Sequence, residues 1–168
     1  MNRQRMRGVY AVEFAIVGLL LFILLFGVLE MGRLLFTVNT LNEAARRGAR
    51  LAAVCDIRDP AILRKAIFAD ADSTTSALIR NLEAADVRLR YFDGAGAEVT
   101  DPTPAGGFTR IRFVQVSIEE TGIQGFRFNL MIPVLGREII LPPFRSVLPR
   151  ESLGRHAEEG VVPEITPC

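Results

Sequence analysis

Gly8 and Glu13 stand five residues apart at the start of a long apolar run, and their types suit peptide cleavage and charge pairing. Glycine has no side chain, so Gly8 fits a narrow protease cleft in extended form. Cleavage after Gly8 would release an amine at Val9, about one helical turn from the Glu13 carboxylate. In an assembly, the Val9 amine of a neighbouring chain would instead meet Glu13 and fix the axial register. The alternative is that Glu13 snorkels to the lipid headgroups and Gly8 is incidental.

The element that must position these residues is a membrane-spanning helix. Residues 14–29 contain no charged or strongly polar side chain, and residues 9–12 extend the apolar character backwards across Glu13. As a helix, residues 9–29 cover roughly 30 Å, the thickness of the hydrocarbon core of a bilayer. Placing an ionised acid at the centre of such a helix in a bilayer costs about 2.5 to 3.5 kcal/mol. We therefore expect Glu13 to have a binding partner or a functional role.

The charges that flank this helix predict its orientation. Three arginines precede the apolar run, whereas Glu30 and Arg33 balance each other after it; the three are Arg3, Arg5 and Arg7. The positive-inside rule therefore places the N-terminus in the cytoplasm and the chain after Glu30 outside it. A cleaved secretory signal is the rival interpretation, but residues 28–33 lack the small-x-small cleavage pattern.

The side chains that catalysis needs are sparse. The single histidine, His156, lies in a polar segment where solvation is expected, and no serine or cysteine has a recognisable triad around it. Asp70 and Asp72 lack the glycine and the distal acid of a calcium loop, so capping is expected there. We therefore expect no enzyme, no cofactor and no metal site, and the net charge of +1 implies no basic surface for nucleic acid.

The two cysteines of the chain are Cys55 and Cys168. In an oxidising compartment such a pair favours a disulfide, and closing so long a loop would contribute about 4 to 5 kcal/mol on the chain-entropy model. Two unpaired thiols are the alternative, because sequence alone does not supply the geometry of a bridge.

The long helix is predicted to continue past the membrane to Val54. After the membrane-spanning part, apolar residues recur every three or four positions, which is typical of one helix face. They are Leu34, Val38, Leu41, Ala45, Gly48 and Ala52. Because the last members are small, whatever packs on this face approaches the helix backbone closely. On the opposite face, Glu43 is spaced to pair with Arg46 or Arg47.

A small head is predicted after Val54. Asp59 and Pro60 suit the start of a second helix, and residues 70–76 leave open whether it is one helix or two. Later runs predict an antiparallel sheet of three or four strands, with turns between them. The runs are 87–92, 110–119, 126–132 and 139–141, and the turns are at 93–96 and 106–107.

The predicted fold class is α+β, because a sheet laid against the aqueous half of the long helix would bury both apolar faces. The expected organisation is a leader at 1–8, a long helix at 9–54 with its transmembrane part at 9–29, a head at 55–150 and an irregular tail at 151–168.

The first third of the chain resembles the TadE-like pseudopilins, minor components of tight-adherence (Tad, or Flp) pili in the type IV pilus and type II secretion superfamily. The resemblance rests on Gly8 and on residues 12–15, 30–33 and 44–50, with a weaker echo at 148–151. The family's usual proline shortly after the Glu-Phe pair is absent, and Gly18-Leu19 stands in its place. This difference removes an expected kink of the helix.

The resemblance implies a pilin-like fold and cleavage after Gly8 by a membrane aspartic prepilin peptidase. It also implies that Glu13 and Val9 register subunits, that other pilins and a pilus assembly platform are partners alongside membrane lipid, and that the process is pilus assembly for surface adhesion. The location would be the bacterial inner membrane. The alternative is an unprocessed single-pass scaffold that binds a partner in the cell envelope.

Overall fold

A single helix, α1, organises the computed structural model, which describes residues 3–131, 136–155 and 168, with side chains from Gly8 onward. Helix α1 spans Arg3–Val54 and is therefore about 80 Å long. Its last residue is the one that the sequence predicts. Its first residue lies within the predicted leader, because the helix continues backwards through Gly8 into residues that are good helix formers.

The aqueous half of α1 packs on the head through the predicted apolar stripe. Leu41, Ala45 and Ala52 are fully buried or nearly so. At Gly48 an added Cβ would lie 2.9 Å from the Cβ of Ala66 and 3.1 Å from Val116. The prediction that small residues allow a close approach to the helix backbone is confirmed.

The second helix, α2, spans only Ala61–Ala66. The predicted N-cap, Asp59, accepts the N–H of Ala61 at 2.8 Å, but Pro60 occupies the N-cap position and the helix begins one residue later than predicted. The chain then leaves the helix at Phe68, whose φ of 58° is left-handed. The N–H of Ala69 reaches back to the carbonyl of Arg64, which is the hydrogen bond of a Schellman motif.

The prediction that one helix, or two, follows Pro60 and continues beyond residues 70–76 is wrong. Turns and bends fill the chain from Ala69 to Glu83, and a short 3-10 helix at Ala84–Asp86 follows. Ile79 and Leu82 are nevertheless buried, because the turns place both side chains in the core, while Leu78 is exposed. No helix begins at Asp70 or Asp72, so neither caps one.

The strands form two sheets rather than the one predicted. Strands β1 (Val87–Phe92), β2 (Phe113–Ile118) and β5 (Phe144–Pro149) form an antiparallel sheet in the order β1-β2-β5. Strands β3 (Phe126–Asn129) and β4 (Glu138–Leu141) form a separate antiparallel hairpin. The α+β class is confirmed.

Two local predictions within the head are wrong. Gly106 and Gly107 lie inside a short helix, α3 (Ala105–Arg110), instead of a turn, and β2 therefore begins later than expected. Strand β5 was not predicted, because its inward positions are Phe144, Ser146 and Leu148, and the serine interrupts the apolar alternation. Ile132, the predicted end of the third strand, lies outside the described residues.

Candidate functional site

The first half of α1 presents an uncovered apolar surface. Among the described residues, one helix is long and apolar enough to cross a membrane, at Gly8–Val54, and the head buries none of its most apolar part. Phe14 is 81% exposed, and the large apolar side chains from Val9 to Leu29 are exposed in the same way. A contiguous apolar surface of this size marks contact with a membrane or with other chains. The helix therefore fits a membrane anchor.

Gly8, Val9 and Glu13 lie on adjacent turns near the start of this surface. All three are exposed, and an added Cβ at Gly8 would meet no atom within 4 Å. Val9 and Glu13 are four residues apart, which places them on the same face of the helix. Among the side chains described, none forms an ion pair with Glu13. The Glu13 carboxylate is thus available to a group from outside this chain or to a new N-terminus.

Glu30 fastens the head to α1 where the apolar run ends. The Glu30 side chain is buried, and the guanidinium of Arg33 donates to it at 2.7 Å. The backbone N–H of Met131, just after β3, donates to the other carboxylate oxygen at 3.1 Å. Arg33 also lies over the ring of Phe128, 5.3 Å from its centroid. Charge-assisted hydrogen bonds of this kind are among the stronger ones in proteins.

An open cleft of about 790 Å³ lies beside this junction. Its walls are Arg33, Phe36 and Thr37 of α1, the turns at residues 76–81, and residues 126–131 of the hairpin. Its polar groups include three guanidinium groups, those of Arg33, Arg80 and Arg127. Two of these, Arg33 and Arg127, already pair with carboxylates, those of Glu30, Glu120 and Glu138.

At the far end of α1, the helix carbonyls are satisfied by the segment after β5. The N–H groups of Glu151 and Leu153 donate to Ala53 O at 3.1 and 3.2 Å, and the Ser152 hydroxyl donates to Val54 O at 2.9 Å. Such contacts pair carbonyls that a helix end leaves without intrahelical partners. The first residues of the predicted irregular tail therefore cap α1.

The two cysteines meet at the same end. Cys55 and Cys168 are joined by a disulfide with their Cα atoms 5.5 Å apart. The N–H of Cys168 donates to the Asp59 carboxylate, and Lys65 donates to the Cys168 carbonyl. Along the helix axis this cluster is roughly 70 Å from Gly8, so the predicted processing residues and the disulfide do not form one site.

Two contacts were missed by sequence reasoning. Glu30 looked only like a charge that balances Arg33, and nothing in the sequence connects it with Met131. Arg47 looked solvated, but its guanidinium lies over the ring of Phe68 at 4.9 Å. The sole sequence signal was the position of Glu30 directly after the apolar run.

No metal-binding cluster appears in the part of the chain that the structure describes. That part contains no group of three or more histidine, cysteine or acidic residues able to hold a metal ion. His156 lies outside the described residues. The predicted surface acids Glu120 and Glu138 flank Arg127 at 3.7 and 3.5 Å, and they are partly exposed ion pairs.

Comparison with known families gives a match to the first part of the chain. The family model described as TadE-like protein matches residues 8–50, a range that contains Gly8, Glu13 and Glu30. The resemblance expected from the sequence is confirmed over that range, and at the level of the family it supports a minor pilin associated with Tad pili. No curated protein and no solved structure matches the chain.

Proposed function

We propose that this protein is a TadE-like minor pilin or pseudopilin, without enzymatic activity, that is cut after Gly8 and takes part in assembly of a Tad pilus for adhesion. The observation that carries the proposal is the exposed Glu13 within an otherwise apolar, exposed helix surface, in the segment that matches the family model. Its partners would be membrane lipid, a prepilin peptidase, other pilins and the assembly platform, with the head outside the cytoplasm.

The environment of Gly8 supports the proposed cleavage. A peptidase that binds its substrate in extended form must first unwind the helix around the scissile bond. Glycine makes unwinding easier, since it is about 1 kcal/mol less favourable in a helix than alanine. Among the described residues, no atom of the head lies within 4 Å of a Cβ built at Gly8, so the unwinding disturbs no described contact with the head.

Cleavage would also supply the charge that Glu13 needs. The new amine of Val9 is a cation, and α1 places it one helical turn from the Glu13 carboxylate or beside the Glu13 of a neighbouring chain. In a bundle of apolar helices, a displaced register would leave both charges unpaired at a cost of several kcal/mol. The pairing would therefore select a single axial offset between subunits.

The cleavage is tested by the mass of the mature protein. Intact mass and N-terminal sequencing of the membrane-extracted protein should show that the mature chain begins at Val9. Gly8→Leu should abolish this cut, whereas Gly18→Leu, at a helix position with equally open surroundings, should leave it unchanged. A natural product that still begins at Met1 would overturn the cleavage and favour the unprocessed envelope scaffold.

The registration role is tested by Glu13→Gln. Membrane insertion should persist, because a charge is removed from lipid, while incorporation into pili or pilus formation should fail. Glu43→Gln is the matched control, since Glu43 is an exposed acid on the same helix and pairs with the exposed Arg46 at 3.5 Å. Normal piliation with Glu13→Gln would contradict the role.

A further inference from the structure

The β3–β4 hairpin points along α1 toward the membrane. The ring of Phe128 contacts Arg33, while Met131, three residues further along, contacts Glu30, one turn nearer the apolar run. Strand β3 therefore runs antiparallel to α1. Because Glu30 directly follows the apolar run, its hydrogen bond places Met131 at the level where that run ends.

The hairpin tip is described at four residues, and an exposed apolar side chain among them suits the boundary of a membrane. The four residues are Leu130, Met131, Gly136 and Arg137. The N–H of Leu130 donates to the carbonyl of Arg137 at 3.1 Å, which closes the hairpin at this point. Met131 is 70% exposed, so its thioether side chain projects away from the head.

The charges around the tip match a lipid headgroup region. Arg137 is exposed beside the tip, and cationic side chains at a membrane surface are attracted by anionic lipids, whereas Arg33 is exposed but already paired with Glu30. Long side chains such as arginine can keep their charge among headgroups while the neighbouring residues enter the apolar layer. Exposed apolar residues also continue on α1 past Glu30, at Met31 and Leu35.

We propose that the hairpin tip, through Met131, inserts into the outer boundary of the same bilayer that α1 crosses, and so gives the head a second membrane contact. Lipid is the expected partner because Met131 adjoins the proposed membrane-spanning surface: the hydrogen bond to Glu30 holds Met131 at the level where the exposed apolar run of α1 ends. The proposal rests on membrane insertion of α1, which is part of the proposed function, but not on cleavage or assembly. The contact restrains the head and must be released when a subunit leaves the membrane.

The test uses the absence of tryptophan from the chain. Met131→Trp introduces a single fluorophore in the full-length protein, reconstituted in vesicles of phosphatidylethanolamine and phosphatidylglycerol with or without brominated acyl chains. Brominated chains should quench the fluorescence strongly, and the emission should be shifted to the blue relative to a solvent-exposed tryptophan.

Two control variants calibrate depth. Leu24→Trp, in the exposed apolar part of α1, should be quenched at least as strongly as Met131→Trp. Val147→Trp should not be quenched, because Val147 is 53% exposed on the edge strand β5. Its neighbour Ser146 pairs with Val116, which packs on Gly48, roughly 27 Å along α1 from Glu30.

The outcomes separate the possible failures. Quenching at Leu24 without quenching at Met131 would overturn the proposal, and a blue-shifted but unquenched Met131→Trp would show that the tip contacts protein instead. No quenching at Leu24 would overturn the anchor itself. Should Met131→Trp fail to form the Cys55–Cys168 disulfide, Asn129→Trp replaces it. The fluorescence of Asn129→Trp should then be quenched more strongly than that of Val147→Trp. Equal quenching of Asn129→Trp and Val147→Trp would exclude insertion of the tip.

Discussion

Glu30 is the residue on which the join between anchor and head depends. The carboxylate has two oxygens and uses both, one for Arg33 and one for the N–H of Met131. An acid at the end of an apolar run would ordinarily be expected to face water. Here the head covers it, and burial of a charge is tolerable because hydrogen bonds from a cation and a backbone amide compensate for lost hydration.

Replacing Glu30 with alanine should loosen the hairpin. Met131 would lose its acceptor, and a lost hydrogen bond to a charged group costs about 1.5 to 3 kcal/mol, so hydrogen exchange at the Met131 amide should rise roughly ten- to hundredfold. Glu43→Ala, which removes an exposed acid from the same helix, should leave that exchange unchanged. Equal protection of Met131 in wild type and Glu30→Ala would show that the contact contributes nothing.

At the scale of elements, α1 and the head meet through small side chains. Ala44, Ala45, Ala49 and Ala52 are buried along the helix, and Gly48 lies against both α2 and β2. The elements approach closely because no long side chain separates them. Interfaces of this kind gain dispersion energy from many short contacts but leave little room for added volume.

Gly48→Ala should therefore destabilise the head although alanine favours helices. The added Cβ would overlap the Cβ of Ala66, and overpacking typically costs about 1 to 3 kcal/mol. Gly32→Ala is the matched control, because a Cβ there meets nothing within 4 Å, and it should be neutral or stabilising by up to about 1 kcal/mol. Thermal unfolding in detergent compares the two variants. A higher melting temperature for Gly48→Ala would contradict the close packing.

At the scale of the whole molecule, the head is attached to α1 at both ends of its aqueous half. The Glu30–Met131 contact lies at the membrane end, and the cap from residues 151–154 and the disulfide lie at the other. The disulfide links residues 113 positions apart, so it closes almost the entire head into one loop.

Cys168→Ser should lower the free energy of unfolding of the head by about 2 to 5 kcal/mol, since long loops gain most from closure. Cys55→Ser should also break the bridge, and the double variant should be scarcely less stable than the less stable single variant, because either change removes the same constraint. Denaturant unfolding measures the effect, and a reducing agent should reproduce it in the wild type. Additive losses would show that the two cysteines act separately.

The sequence by itself determined the features that depend on local pattern. The apolar run, the lone acid Glu13 within it, Gly8 before it and the three- and four-residue spacing that continues to Val54 are periodic or compositional signals, and they predicted the long helix, its buried face and the family resemblance. The strands β1 to β4 were recognisable because apolar residues alternate or cluster between turn residues.

Only the tertiary structure decided the features that depend on contacts between distant residues. The short α2 ends at Ala66, Phe68 follows in a left-handed conformation, and Arg47 of α1 covers the Phe68 ring. The hairpin separates from the main sheet and is bonded to Glu30, 101 residues away in sequence. A hydrogen bond between such distant groups leaves no periodic trace in either segment, so its partners become known only when the chain is folded.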